Sequence, residues 1–118
     1  LPVSVPSHCE LMRPAAERFA ESVNAVEWKT PAIPVVQNVS AAVPADLETL
    51  KRDLLEQLYK PVRWVECVQA LAAQGAVQLV ECGPGKVLAG LNKRCAEGVT
   101  TYNLNTPDAV AAARAALA

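Results

Sequence analysis

The chain has 118 residues, a net charge of −1 at pH 7, 52% hydrophobic and 19% charged residues. That length suits one small domain, and that apolar share excludes a disordered chain. Balanced charge argues against a nucleic-acid binder, which carries a basic surplus, and no apolar run nears the roughly 18 residues of a membrane span.

In chain order, "PVSVP" at residues 2–6 reads as a short strand with Val3 and Val5 on one face. Ser7 and Glu10 then stand in S-x-x-E spacing, a capping box. Leu11, Ala15, Phe19 and Val23 recur every four residues as a helical face. Pro14 either kinks that helix or sits in its first turn. "PAIPVV" at residues 31–36 favours a strand at Val35 and Val36, with its prolines at an edge. Asp46 is placed to cap an amphipathic helix whose stripe is Leu47, Leu50, Leu54 and Leu58, broken at Pro61. A further helix turns Val62, Val65, Val68 and Leu71 or Ala72 inward and ends at Gly75. "AVQLVE" is a strand, "CGPG" a turn and "KVLAGLNKRC" a helix with Val87, Leu88 and Leu91 apolar. Gly98 stops it, "VTTYNL" is a last strand, and Thr106 with Pro107 opens an alanine-rich helix. Strands alternating with helices imply an α/β fold, a three-layer helix-sheet-helix with a short, mostly parallel sheet and a single domain over residues 1–118.

Cys9, Cys67, Cys82 and Cys95 form no C-x-x-C pair, and His8 is the one histidine, so no metal site is expected. A chain rich in core-forming residues needs no disulfide staples, so reduced cysteines of a cytoplasmic protein are the expectation. There is no charged segment leading into a long apolar run, hence no signal peptide.

His8 is the main chemical candidate. It stands where a strand gives way to a helix, the edge at which α/β folds collect ligands. An imidazole there suits general-base work on a serine or cysteine, yet Ser4, Ser7, Ser22 and Ser40 all lie outside any G-x-S-x-G elbow. Ser7 and Cys9 adjoin His8 in sequence, a poor arrangement for bringing nucleophile and base face to face. The chain thus holds a base without its nucleophile. "ECGPGK" can cradle an anion on free amides, but it lacks P-loop spacing, and a tight structural turn is the plainer reading. Lys93 and Arg94, with Lys86 before them, are either a solvated helix face or a docking spot for an acidic partner.

"LPVSVPSHCELM", "PVVQNV", "QLYKPVRWVECV" and "ECGPGKVLAGLNKR", in this order, resemble the C-terminal portion of the malonyl-CoA:acyl-carrier-protein transacylases of bacterial type II fatty-acid synthesis. The likeness runs from Leu1 to about Asn105. It implies the C-terminal part of the large, hydrolase-like subdomain of an acyltransferase. A family serine attacks the malonyl thioester, a histidine takes its proton, and malonate passes to the phosphopantetheine thiol of the carrier protein. No cofactor beyond these substrates is implied. The resemblance puts the histidine role on His8 and its orienting acceptor on the main chain of Gln57, with Asn38 assisting. It puts acyl selectivity at Ser7 and makes Lys93 and Arg94 contacts for the acidic acyl carrier protein.

The family's G-H-S-x-G elbow, its G-Q-G-S oxyanion segment, the arginine that grips malonate and its ferredoxin-like subdomain do not occur in these residues. The opening "LPVSVP" lacks an initiator methionine, so the expectation is a fragment cut just before the strand leading to His8 and inactive alone. The missing part is then either N-terminal sequence or a second chain. An apolar edge strand at residues 2–6 would invite self-association. Two other functions stay open: a non-catalytic α/β module binding an acidic carrier protein through Lys86, Lys93 and Arg94, and a hydrolase using Cys9 or Ser7.

Overall fold

The structure is a computed structural model that describes residues 6–118. The expected strand at residues 2–6, and the edge-pairing it suggested, lie outside the described residues apart from Pro6, which is in neither helix nor strand. The chain forms two compact units, Leu1–Cys67 and Val68–Ala118.

In the first unit a single 3-10 turn, Glu10–Met12, leads into helix α1, Arg13–Ala25. Of the two readings of Pro14, the one that holds is a helix start, with proline in the first turn, where its missing N–H costs nothing. The expected capping box does not form: Cys9 holds the cap position without a side-chain bond. The Glu10 carboxylate is taken instead by the Arg13 guanidinium, at 2.7 and 2.9 Å. Of the expected stripe Val23 is buried and Ala15 half-buried, with Ala16 buried beside them, whereas Leu11 is 76% exposed and Phe19 is also exposed. After α1 the Trp28 Nε1–H donates to the Val23 carbonyl at 2.7 Å, giving a partner to one of the orphan carbonyls at the helix end.

Val35 and Val36 are not in a strand. Pro31 and Pro34 remove two backbone donors there, and no described segment pairs with it. Helix α2 runs Leu47–Glu56 and is capped as the sequence implies, the Asp46 carboxylate accepting from Thr49 N–H at 2.7 Å. Its leucines Leu47, Leu50 and Leu54 are half-buried and its fully buried residue is Asp53; Leu58, expected in the same stripe, falls in the turn past the helix end. α1 and α2 pack on each other. Helix α3, Trp64–Ala73, carries the boundary between the units, with Cys67 and Val68 buried. Val62 and Val65, expected inward, are exposed. A helix that begins at Trp64 leaves Val62 outside it; Val68, also expected inward, is buried at 1% exposure, with Cys67 beside it.

In the second unit α3 ends in a Schellman arrangement. Ala76 N–H donates to Leu71 O and Gly75 N–H to Ala72 O, with Gly75 at φ 93°, a left-handed conformation that glycine adopts without steric cost. Strand β1, Gln78–Glu81, and strand β2, Thr100–Asn103, form a two-stranded parallel sheet with Gln78 opposite Thr100 and Glu81 opposite Asn103. Helix α4, Val87–Cys95, connects them and packs on both strands, and helix α5, Pro107–Leu117, packs on β2. This is the mixed helix and short parallel sheet expected of an α/β fold. Thr106 caps α5 by accepting from Ala109 N–H at 3.2 Å. The buried side chains of this unit include Ala89 and Ala113, whereas Val87, Leu88 and Leu91 are exposed.

Val23 is 2% exposed, so Val23→Ala removes two buried methyl groups. At ~0.8 kcal/mol each plus a cavity, stability falls by about 2 kcal/mol, read as a lower urea midpoint with unchanged slope. The Asp46 carboxyl is held below its ordinary 3.8, chiefly by the Thr49 N–H. A lowered folded value means the cap is fully stabilising above pH 3.8 and is lost as pH falls below it. The stability gap between wild type and Asp46→Ala therefore closes on acidification through that range.

Candidate active site

His8 sits at φ 54°, in the left-handed region that non-glycine residues rarely adopt. This conformation falls at the turn before the 3-10 segment, where the chain must change direction. The ring is exposed, and its Nδ1 lies 2.6 Å from the main-chain oxygen of Gln57, 49 residues away. A carbonyl only accepts, so Nδ1 carries the proton and the neutral ring keeps its lone pair on Nε2. Gln57 is the C-cap of α2, so its oxygen is one of the carbonyls for which the helix offers no partner. Such carbonyls carry the negative end of the helix dipole. A second contact ties the same regions: the Arg13 guanidinium stacks 4.1 Å from the centroid of the Tyr59 ring, just past α2.

Asn38 does not bond His8. Its Nδ2 donates to the Gln57 side-chain Oε1 at 3.2 Å, so it reaches the ring only through Gln57. Asn38 belongs to a tight loop closed by Ala41 N–H donating to Gln37 O and by Gln37 N–H donating to Ala42 O, with Ala41 at φ 55°. Ser7 is exposed beside His8, and among the described residues no hydrogen bond joins His8 to Ser7 or Cys9. Ser7 is accordingly not the helix cap its spacing suggested. Burial pushes the Cys67 thiol up, and its Sγ–H donates to Gln37 O at 3.5 Å, so it is a structural thiol. Among the described residues no cluster of histidine, cysteine and carboxylate side chains could hold a metal ion.

In the second unit, the turn "CGPGK" is not an anion cradle. The Glu81 carboxylate already occupies the start of α4, accepting from Leu88 N–H at 3.3 Å and Ala89 N–H at 2.8 Å. A resident carboxylate satisfies the orphan donors and repels a second anion. Lys93 and Arg94 are exposed in the last turn of α4, where cations oppose the helix dipole favourably, and Lys86 is exposed at its start.

Sequence reasoning missed Arg63, Asp53 and Glu81. Arg63 lies inside the "PVRW" motif, but apart from Glu66 its partners are main-chain atoms of a loop more than twenty residues back. Asp53 sits on the leucine face of α2, with Oδ1 on Arg52 at 3.1 Å and Oδ2 without a partner among the described residues. Glu81, at the end of an apolar strand and seven residues before the amide it meets, was the one legible signal.

Two expected outcomes follow from this geometry. Of the four cysteines, Cys67 reacts slowest with a maleimide at neutral pH, because it is the buried one and its thiolate is disfavoured. Phosphate leaves the amide resonances of residues 86–89 unmoved in NMR titrations of the wild type, and a shift there would contradict the assignment of Glu81.

No protein-family model matches the chain. Sequence comparison finds malonyl CoA-acyl carrier protein transacylases. That of Salmonella typhimurium is 47% identical over 113 residues, 96% of this chain and 37% of the relative. That of Bacillus subtilis is 43% identical over 110 residues, 93% of this chain and 35% of the relative. Among solved structures, the malonyl-CoA:acyl carrier protein transacylase of Xanthomonas oryzae superposes with a TM-score of 0.92 at 50% identity, covering 98% of this chain and 37% of that one. A malonyl-transacylase in complex with its type II PKS acyl-carrier protein superposes with a TM-score of 0.89 at 42% identity, covering 96% of this chain and 37% of that one. In sequence and in backbone the chain is therefore a homologue of the malonyl CoA-acyl carrier protein transacylases, spanning a little over a third of their length.

Proposed function

We propose that this chain is the C-terminal, base-bearing part of an acyltransferase catalytic domain that moves malonyl from CoA to the phosphopantetheine thiol of an acyl carrier protein. The observation that carries the reading is the 2.6 Å bond from His8 Nδ1 to the Gln57 carbonyl, in a chain homologous to transacylases. In this reading Gln57 holds the Nδ1 proton, so that Nε2 faces a serine supplied by the rest of the enzyme. His8 takes the serine proton as the oxygen attacks the malonyl thioester carbon. The CoA sulfur leaves and is reprotonated from His8. His8 then takes the carrier thiol's proton, the thiolate attacks the malonyl-serine ester, and the serine oxygen departs with the proton from His8. No metal or cofactor takes part, and the expected location is the cytoplasm.

A neutral carbonyl stabilises the imidazolium less than an aspartate would; its place at the end of α2 offsets part of that difference. Ser7, small and exposed beside His8, leaves room for the acyl group. Lys93 and Arg94 present positive charge to the acidic carrier protein.

In the protein that carries this segment together with the family's serine elbow, His8→Ala lowers malonyl transfer by roughly 10²–10⁴-fold, the usual share of a general base. Retained transfer would overturn the reading. The 118-residue chain alone gives no transfer above background, since it supplies no elbow serine. Charge reversal at Lys93 and Arg94 weakens carrier-protein binding, and the difference shrinks as salt rises.

A further inference from the structure

The His8–Gln57 bond depends on where a helix end stands, and helix ends fray. Past Gln57 the chain leaves regular helix: Leu58 N–H donates to Leu55 O and Tyr59 N–H to Glu56 O, both one residue short of α-helical spacing. Something outside α2 must fix the Gln57 position. Asn38 does so directly through the Gln57 side chain. Asn38 in turn lies in an irregular loop, which Cys67 touches at Gln37 O and which one further residue binds at two carbonyls.

That residue is Arg63. Its main-chain N–H donates to Asn38 O at 2.8 Å, and its guanidinium Nη1 donates to Ser40 O at 3.0 Å. The same guanidinium donates from Nε to the Glu66 carboxylate at 3.3 Å, one turn on in α3. One planar fork therefore bridges the loop and the helix. A lysine ammonium, a single point charge on a flexible stem, does not reproduce two donors at fixed angles. Every link in the sequence from Arg63 to loop 38–40, to the Gln57 side chain and to the Gln57 carbonyl lies within the first unit. Arg63 touches neither His8 nor any reacting atom.

We infer that Arg63 is a positioning residue for the His8 base, acting through loop 38–40 and the Asn38–Gln57 bond to hold the Gln57 carbonyl against His8 Nδ1. This rests on the reading of His8 given under Proposed function.

His8 is the only histidine, so imidazole ¹⁵N NMR of the labelled 118-residue chain reports on it alone. At a pH where the ring is neutral, wild type shows the Nδ1–H tautomer. Arg63→Lys converts this to a mixture of tautomers while circular dichroism stays unchanged. A merely structural arginine would alter melting temperature and leave the tautomer alone. A wild type already in the ordinary mixture overturns the His8–Gln57 assignment, and the inference with it. A wild type in the Nδ1–H form whose Arg63→Lys variant keeps that form overturns the inference alone. Should Arg63→Lys unfold, Asn38→Ala cuts the next link: loss of the Nδ1–H form supports the inference, and its persistence overturns it.

Discussion

The contact on which the proposed function rests is a hydrogen bond between a histidine ring and a peptide oxygen 49 residues later. Its strength as a device lies in the acceptor's fixed chemistry. A carboxylate can be protonated or rotate, whereas a peptide oxygen keeps one direction as long as its helix end stays put. The requirement is thereby shifted from the chemistry of a side chain to the placement of backbone. The structure meets it at both ends: the left-handed turn at His8 delivers the ring, and the Asp46 cap fixes where α2 begins. The Arg13–Tyr59 stack closes the same junction a few residues further along.

Glu10 shows how competing polar contacts decide local structure. Its spacing from Ser7 suits a reciprocal cap, yet a guanidinium three residues on offers two charge-assisted bonds at once. The stronger acceptor–donor match wins, and the first turn tightens to 3-10 geometry. The second unit repeats the lesson at Glu81. A glycine-rich turn before a helix has free amides by construction, and whether they meet a ligand depends on whether the protein supplies its own anion. Here it does, from the strand that precedes the turn.

Burial in this chain falls on small side chains. Among the described residues Ala16, Val23, Cys67, Val68, Ala89 and Ala113 are the buried apolar ones, while Leu11, Ile33 and Val87 are each more than 70% exposed. Periodicity identified the helices from those large residues, because they dominate any hydropathy pattern. The faces that are covered are set by close approach of helices, which favours alanine and valine, so the inward direction held at Val23 and Val68 and failed at Leu11, Phe19, Val62 and Val65.

By itself the sequence determined the helices and the parallel strand pair, and the ends marked by Asp46, Thr106 and Gly75, because such signals act on their immediate neighbours; the end of α2 at Glu56, well before Pro61, was not among them. It also determined the kinship, since a run of ordered motifs carries that information without coordinates. The His8–Gln57 pairing was legible only through that kinship. Tertiary structure alone decided the left-handed turn at His8, the absence of a strand at Val35, the bond of Asn38 to the Gln57 side chain, and the contacts of Arg63 with loop 38–40. Each of these depends on which backbone carbonyls come to lie near one another. Every residue but its neighbours offers the same carbonyl, so no pattern of side chains can announce which one will be met.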